Sequence, residues 1–201
     1  MRKLPSLKDL YFYHGSPCSI DVFDYKFAEK GQGFGFYFTT DKTGAAGFCS
    51  ENTLTMTARS TFKPTLHKVR LKVENPLGHQ HVQALTKAQC REIIKRAPDL
   101  EENLWRTWDV GSLGIEKALD EAAKLFSGKD CILISTLNQI ANEFFEGDMG
   151  QLTSALRDVT GYDGLIRKCG KDVTIMAWFP DQVEIVSRID PTLELDEAPS
   201  P

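Results

Sequence analysis

Two short stretches decide how this chain is read: Tyr11-Phe12-Tyr13-His14-Gly15-Ser16, and Gly31-Gln32-Gly33-Phe34-Gly35-Phe36-Tyr37-Phe38-Thr39. In the first, residues 10–14 form an aromatic-rich run that reads as a strand ending in a histidine, with turn residues Gly15-Ser16-Pro17 behind it. A glycine directly after the histidine admits a ligand close to the backbone, where an N–H and a C=O can hydrogen-bond to it. In the second, alternating glycines adjoin four aromatic residues, the flat faces on which a heterocycle stacks. Each has a plainer reading when taken singly: a strand-terminal histidine held by a structural hydrogen bond, and a bulged strand. The glycines fit no dinucleotide fingerprint of the Gly-x-Gly-x-x-Gly type, because no helix-opening third glycine follows, and no Gly-Lys-Ser/Thr occurs.

Working outward, three zones separate. Residues 10–77 read as strands with one short helix, 43–50, capped by Asp41 or Thr43. Residues 66–73 alternate, with Val69, Leu71 and Val73 on one face and Lys68, Arg70 and Lys72 on the other, a half-buried strand that Pro76 stops. Residues 82–160 carry helical spacing throughout, with helices expected from Thr86 and over 101–108, 115–126, 133–145 and 152–159. Strand character returns at 164–167, 173–179 and 182–189, with a turn at Cys169-Gly170-Lys171. The expected fold class is α+β, one domain over 1–189 with a helical insertion at 82–160 between two strand groups. Residues 190–201 hold four acids, no bases and three prolines, the composition of a disordered acidic tail.

Composition narrows the function. An apolar fraction of 41% supports a real core, and a formal charge of −4 argues against a protein that coats nucleic acid. No run of about 18 apolar residues occurs, so no membrane span is expected, and the N-terminus has no apolar stretch of the secretory kind. The cysteines, Cys18, Cys49, Cys90, Cys131 and Cys169, are scattered without metal-ligand spacing. They read as small hydrophobes and reduced thiols in a cytoplasmic setting, with no metal site.

Taken together, the two opening stretches carry more than either does singly. A strand with His14-Gly15-Ser16, then about twenty residues on Gly35-Phe36-Tyr37-Phe38-Thr39, then Ala45-Ala46-Gly47-Phe48, resembles the ADP-ribosyltransferases of the histidine–tyrosine class. That class includes diphtheria toxin and the poly-ADP-ribose polymerases. Val73-Glu74-Asn75-Pro76-Leu77, Gly161-Tyr162-Asp163-Gly164-Leu165-Ile166 and Phe179-Pro180-Asp181-Gln182-Val183 resemble markers of the bacterial and phage polyvalent-protein branch. The resemblance covers about 110 residues in the first and third zones.

The resemblance implies a split β-sheet core and NAD as substrate. It implies that His14 bonds a ribose hydroxyl, that the backbone of Gly15 holds the carboxamide, and that Ser16 sits beside it. Tyr37 and Phe48 would stack on the two faces of nicotinamide, with Gly35, Phe36 and Ala45 completing the dinucleotide pocket. The family carries a glutamate ahead of the Gln-Val turn. Counting back from Gln182 gives Thr174, or Ile175 with a one-residue deletion, and neither is a carboxylate. Asp172, two residues earlier, shares the strand face of Thr174; Glu184 ranks behind it. The expected activity is therefore mono-ADP-ribosyl transfer to a macromolecular acceptor, a protein by default and a nucleic acid as the alternative. A binding-only relative and an NAD glycohydrolase are the competing readings, and a toxin, effector or phage product is the implied setting.

The remaining candidates read as structural. His67, His79 and His81 are expected in a surface loop, Trp105 and Trp108 as a helical core stripe, Asp163 as a turn residue, and Lys68, Arg70 and Lys72 as a solvated face.

Overall fold

The computed structural model describes residues 7–24, 35–50, 62–78, 82–131 and 134–191. In chain order the strands and helices are β1 (Phe12–Ser16), β2 (Phe36–Thr39), α1 (Lys42–Ala46), β3 (Thr65–Leu71), β4 (Pro76–Leu77), α2 (Lys87–Ile94), α3 (Leu100–Thr107) and α4 (Val110–Leu113). They continue as α5 (Ile115–Phe126), α6 (Ile134–Phe144), α7 (Met149–Thr160), β5 (Gly164–Cys169), β6 (Asp172–Ala177) and β7 (Val183–Ile189). The class is α+β. Two compact units divide the chain, one of residues 1–24, 36–74 and 168–201, the other of residues 25–35 and 75–167.

In the first unit five strands run antiparallel in the order β6-β2-β1-β3-β7. β1 pairs with β3 along its whole length, from Phe12↔Val69 to Ser16↔Thr65. β2 pairs with β6 along its whole length, from Phe36↔Ala177 to Thr39↔Thr174. Between β1 and β2 there is one residue pair, Tyr13↔Thr39. The sheet is thus split into two ribbons that meet at a single rung.

Alternation then sorts the side chains. Phe12, His14, Phe36, Phe38, His67 and Val69 share one face, and Phe23 packs edge-on against His14, Phe36 and Phe38 there. Tyr13, Gly15, Tyr37, Thr39, Leu66 and Thr174 share the other, where Ala45 and Cys49 pack on Leu66 and Tyr13.

Local chemistry explains the short helix. Asp41 caps α1 by accepting the Gly44 N–H at 2.9 Å, and the chain runs on as a 3-10 turn over Gly47–Cys49. At the other end of the unit, the Gln182 side-chain oxygen accepts the backbone N–H groups of Trp178 and Phe179, both at 2.9 Å. That fixes the Pro180–Gln182 turn from which β7 starts.

The second unit is mostly helical. Thr86 and Gln89 form a capping box on α2, Asp148 caps α7, and Gly161 ends α7 at φ 74. The core joins Ile93, Leu104, Leu119, Ala122, Phe126, Ile140, Phe144 and Leu156, all fully or almost fully buried. β4 and β5 pair in parallel, Pro76↔Gly164 and Leu77↔Leu165, and Asp163 locks the approach by accepting the Asn75 N–H at 2.8 Å. Asp163, expected as a turn residue, instead holds a segment 88 positions away in sequence.

Several expectations are corrected. β1 does not end at His14 but runs through Gly15 and Ser16, because the ladder to β3 overrides their turn propensity. The turn follows, with the Ser16 hydroxyl accepting the Cys18 N–H at 3.2 Å. Pro76 does not simply stop a strand; it opens the short parallel β4, where its missing N–H is tolerated at a first position. Residues around Gly111 form α4, capped by Asp109, where a connection was expected. Trp105 is no core residue, since it is 59% exposed. His67 lies in the middle of the buried β3, not in a surface loop. Gly31, Gly33, His79, His81 and the acidic tail beyond Pro191 lie outside the described residues.

Candidate active site

His14 stands where the two ribbons part. The Tyr37 carbonyl has no place in a β1–β2 ladder at that point, and His14 Nδ1–H donates to it at 2.8 Å. A carbonyl can only accept, so the proton is on Nδ1, and neutral His14 keeps Nε2 as an acceptor. Nε2 has no hydrogen-bond partner among the described residues. Burial holds the His14 pKa below the usual histidine value, against the opposing pull of the Tyr37 carbonyl. The ring is thus an oriented, neutral acceptor at neutral pH.

His67 supports it from the next strand. The ring has no exposed surface, its Nδ1–H donates to the His14 carbonyl at 3.3 Å, and its Nε2 accepts the Ile20 N–H at 3.0 Å. Burial first, and then the neighbouring His14, push its pKa down to about 4. The Ser16–Ile20 bend is further pinned by Arg188, whose guanidinium donates to the Ile20 carbonyl at 3.1 and 3.2 Å. Sequence reasoning missed His67. Its place in the strand alternation with Val69 and Leu71 is the sign that would have found it.

Gly15 has an internal cause. A Cβ there would run into the Ala45 carbonyl and come within 3.2 Å of Cys49 Sγ, so α1 can seat on β1 only over a glycine. The sequence reading attributed this glycine to ligand approach; the packing of Ala45 is sufficient reason for it.

Tyr37 lies on the same sheet face as Gly15, directly beside Met176 of β6. Its hydroxyl is buried and has no hydrogen-bond partner among the described residues. Burial raises its pKa to about 12, so the phenol stays neutral. Phe48, on the 3-10 turn after α1, is 65% exposed and offers an open ring. Phe36 is 7% exposed, with its ring in the Phe23 cluster on the opposite face from Tyr37, and Gly35 precedes it at φ 96.

Thr174 pairs with Thr39, two rungs from the Tyr37↔Met176 pair and hence on the same face, and it is half-buried. Asp172 has the same parity but is engaged: Thr40 Oγ1 donates to its Oδ1 at 3.2 Å, while the Val173 N–H donates to Thr40 Oγ1 at 2.9 Å. Glu184 is exposed on β7 opposite Arg70. The structure therefore brings together Gly15, Tyr37, Ala45 and Thr174 on one sheet face, with the His14 ring anchored between the ribbons. No group of three or more His, Cys, Asp or Glu among the described residues is arranged to hold a metal ion. No helix among them is long and apolar enough to cross a membrane.

A split antiparallel sheet with a histidine at the parting and a tyrosine on the neighbouring strand defines an ADP-ribosyltransferase-like domain. The chain belongs to the family of ADP-ribosyltransferases in polyvalent proteins, whose family model matches residues 8–192. That family takes NAD as substrate, and the match runs through the helical zone as well as the strand zones. No curated protein and no solved structure gives a match.

Proposed function

We propose that this protein cleaves the nicotinamide–ribose bond of NAD and transfers a single ADP-ribose unit to a macromolecular acceptor, a protein by default. The observation that carries the reading is the tether of the His14 ring to the Tyr37 carbonyl at the parting of the two ribbons, which leaves Nε2 as an acceptor in a chain of this family. Tyr37 would stack on one face of nicotinamide and Phe48 on the other. His14 Nε2 would accept from a ribose hydroxyl, and the Gly15 backbone would hold the carboxamide beside Ser16. The orphaned Tyr37 hydroxyl fits a pocket whose polar partner arrives with the substrate.

Breaking the glycosidic bond builds positive charge on the anomeric carbon, and the protein accelerates it by holding both halves in the geometry of the transition state. Chain elongation needs a carboxylate to activate a ribose hydroxyl of the acceptor, and Thr174 supplies none. Asp172 is occupied by Thr40, which favours single transfer. Thr174 in place of the family's glutamate also favours the second reading, a relative that binds NAD without turning it over. The setting proposed is a cytoplasm, that of a bacterium, a phage-infected cell or a host reached by an effector; buried free thiols at Cys49, Cys90 and Cys131 suit a reducing compartment.

Incubating the purified protein with adenylate-labelled NAD and with bacterial and eukaryotic lysates separates these readings. A labelled band that His14→Ala and Tyr37→Ala both lose supports the transferase. Free nicotinamide without a labelled macromolecule turns the reading to hydrolysis. NAD binding with neither product leaves the binding-only relative.

A further inference from the structure

Trp105 is a costly residue to leave in water, and its neighbourhood is built rather than incidental. It sits on α3 and is 59% exposed, while Asn103 and Leu104 of the same helix are buried. Its ring edge, Cζ3 and Cη2, lies 3.7 and 4.0 Å from where a Cβ on Gly111 would stand. The indole therefore rests on the first turn of α4, supported on one side and open on the other. Asp109 fixes that turn as its cap, its Oδ1 accepting the Ser112 N–H at 3.3 Å. One turn back along α3, Glu101 and Glu102 occupy the positions four and three residues before Trp105 and are exposed.

Neither glutamate has an ion-pair partner among the described residues, and Arg106 donates at 2.7 Å to Asn103 Oδ1. Residues 99–114 thus carry a net charge of −3, close to the −4 of the entire chain. An open indole with two exposed glutamates one turn back on its own helix suits a guanidinium, which stacks on the ring and forks onto a carboxylate. An ammonium lacks the planar face for this, and a polyanion is repelled.

We infer that the face formed by α3 and α4 around Trp105 docks an arginine-bearing basic segment of the acceptor protein. That the docked partner is the acceptor rests on the transferase reading; the docking itself does not. The test uses the full chain without NAD and three short peptides of equal length: an arginine–glycine peptide, its lysine counterpart and a glutamate–glycine counterpart, with an oligonucleotide as a fourth probe. Affinity is read by titration calorimetry and by indole fluorescence.

The arginine peptide is expected to bind best, to lose tenfold or more in Trp105→Ala, and to weaken in Glu101→Gln/Glu102→Gln and with added salt. Both variants alter exposed positions, and unchanged helical circular dichroism checks their folding. Equal affinity in Trp105→Ala, or preference for the oligonucleotide, overturns the inference. The same variants are then assayed with labelled NAD. Loss of labelling with nicotinamide release retained ties the docked segment to the acceptor. Peptide binding by a protein that releases no nicotinamide keeps the docking surface and removes its link to transfer.

Discussion

His67 donates through Nδ1 to the carbonyl of His14 at 3.3 Å, and its other nitrogen is already taken by the Ile20 N–H at 3.0 Å. The ring is committed on both sides in its neutral form, and a second proton on Nε2 has nowhere to go without expelling Ile20.

A pH dependence of stability follows. The His67 pKa falls from about 6.5 in the unfolded chain to about 4 in the fold. Between those values the unfolded state binds the extra proton, so stability rises with pH across the window. The contribution is complete above about pH 6.5 and is lost as pH falls towards 4, on the order of 2–3 kcal/mol. His14, also depressed, adds in the same direction. Urea unfolding at pH 7 and pH 4.5 should show the loss, and His67→Gln, whose amide can donate and accept, should shrink it. An equal loss in His67→Gln would remove His67 as the cause.

Gly15→Ala should destabilise by about 2 kcal/mol or more, because the added Cβ meets a backbone oxygen of Ala45 that cannot swing aside. The expected readout is a lower melting temperature, independent of any ligand. A melting temperature equal to that of the parent would mean α1 can shift off β1 freely.

Tyr37→Phe should hold or raise stability by about 1 kcal/mol, since it deletes a buried hydroxyl with no partner among the described residues. The ring and its stacking surface remain. If the hydroxyl meets the substrate, KM for NAD rises while the melting temperature does not fall. Loss of stability instead would mean that the hydroxyl is satisfied within the protein.

Gln182→Ala should cost about 2–4 kcal/mol, because it strands two buried backbone donors at once. Gln182→Glu keeps an acceptor oxygen for both and should retain most of the stability at neutral pH. Thermal melts of the pair separate a capping role from simple loss of volume, which Glu and Gln share.

Much of the fold was legible in the sequence because its signals are local. Asp41 capping a short helix, the helix opening at Thr86 and the 115–126 stripe each need only near neighbours to be recognised, and each appears in the structure. What escaped depended on distant partners. Gly15 and Ser16 look like turn residues until β3 pairs with them. His67 looks like a loop residue until its two backbone partners, one 47 and one 53 positions away, are seen. Trp105 has the spacing of a core stripe, yet its helix buries Leu104 and Asn103 instead. In the candidate site, residue types were readable, while the division of His14 and Tyr37 between opposite faces of one sheet was not.

The single Tyr13↔Thr39 rung has a mechanical meaning. Each other junction among these five strands is a ladder of four or more pairs, so bending there breaks several hydrogen bonds together. At the rung, the two halves can tilt against each other for the loss of one pair and the stretching of the His14 tether to Tyr37. The sheet therefore behaves as two stiff plates on a narrow flexure, and its softest axis runs through the residues to which the chemistry is assigned.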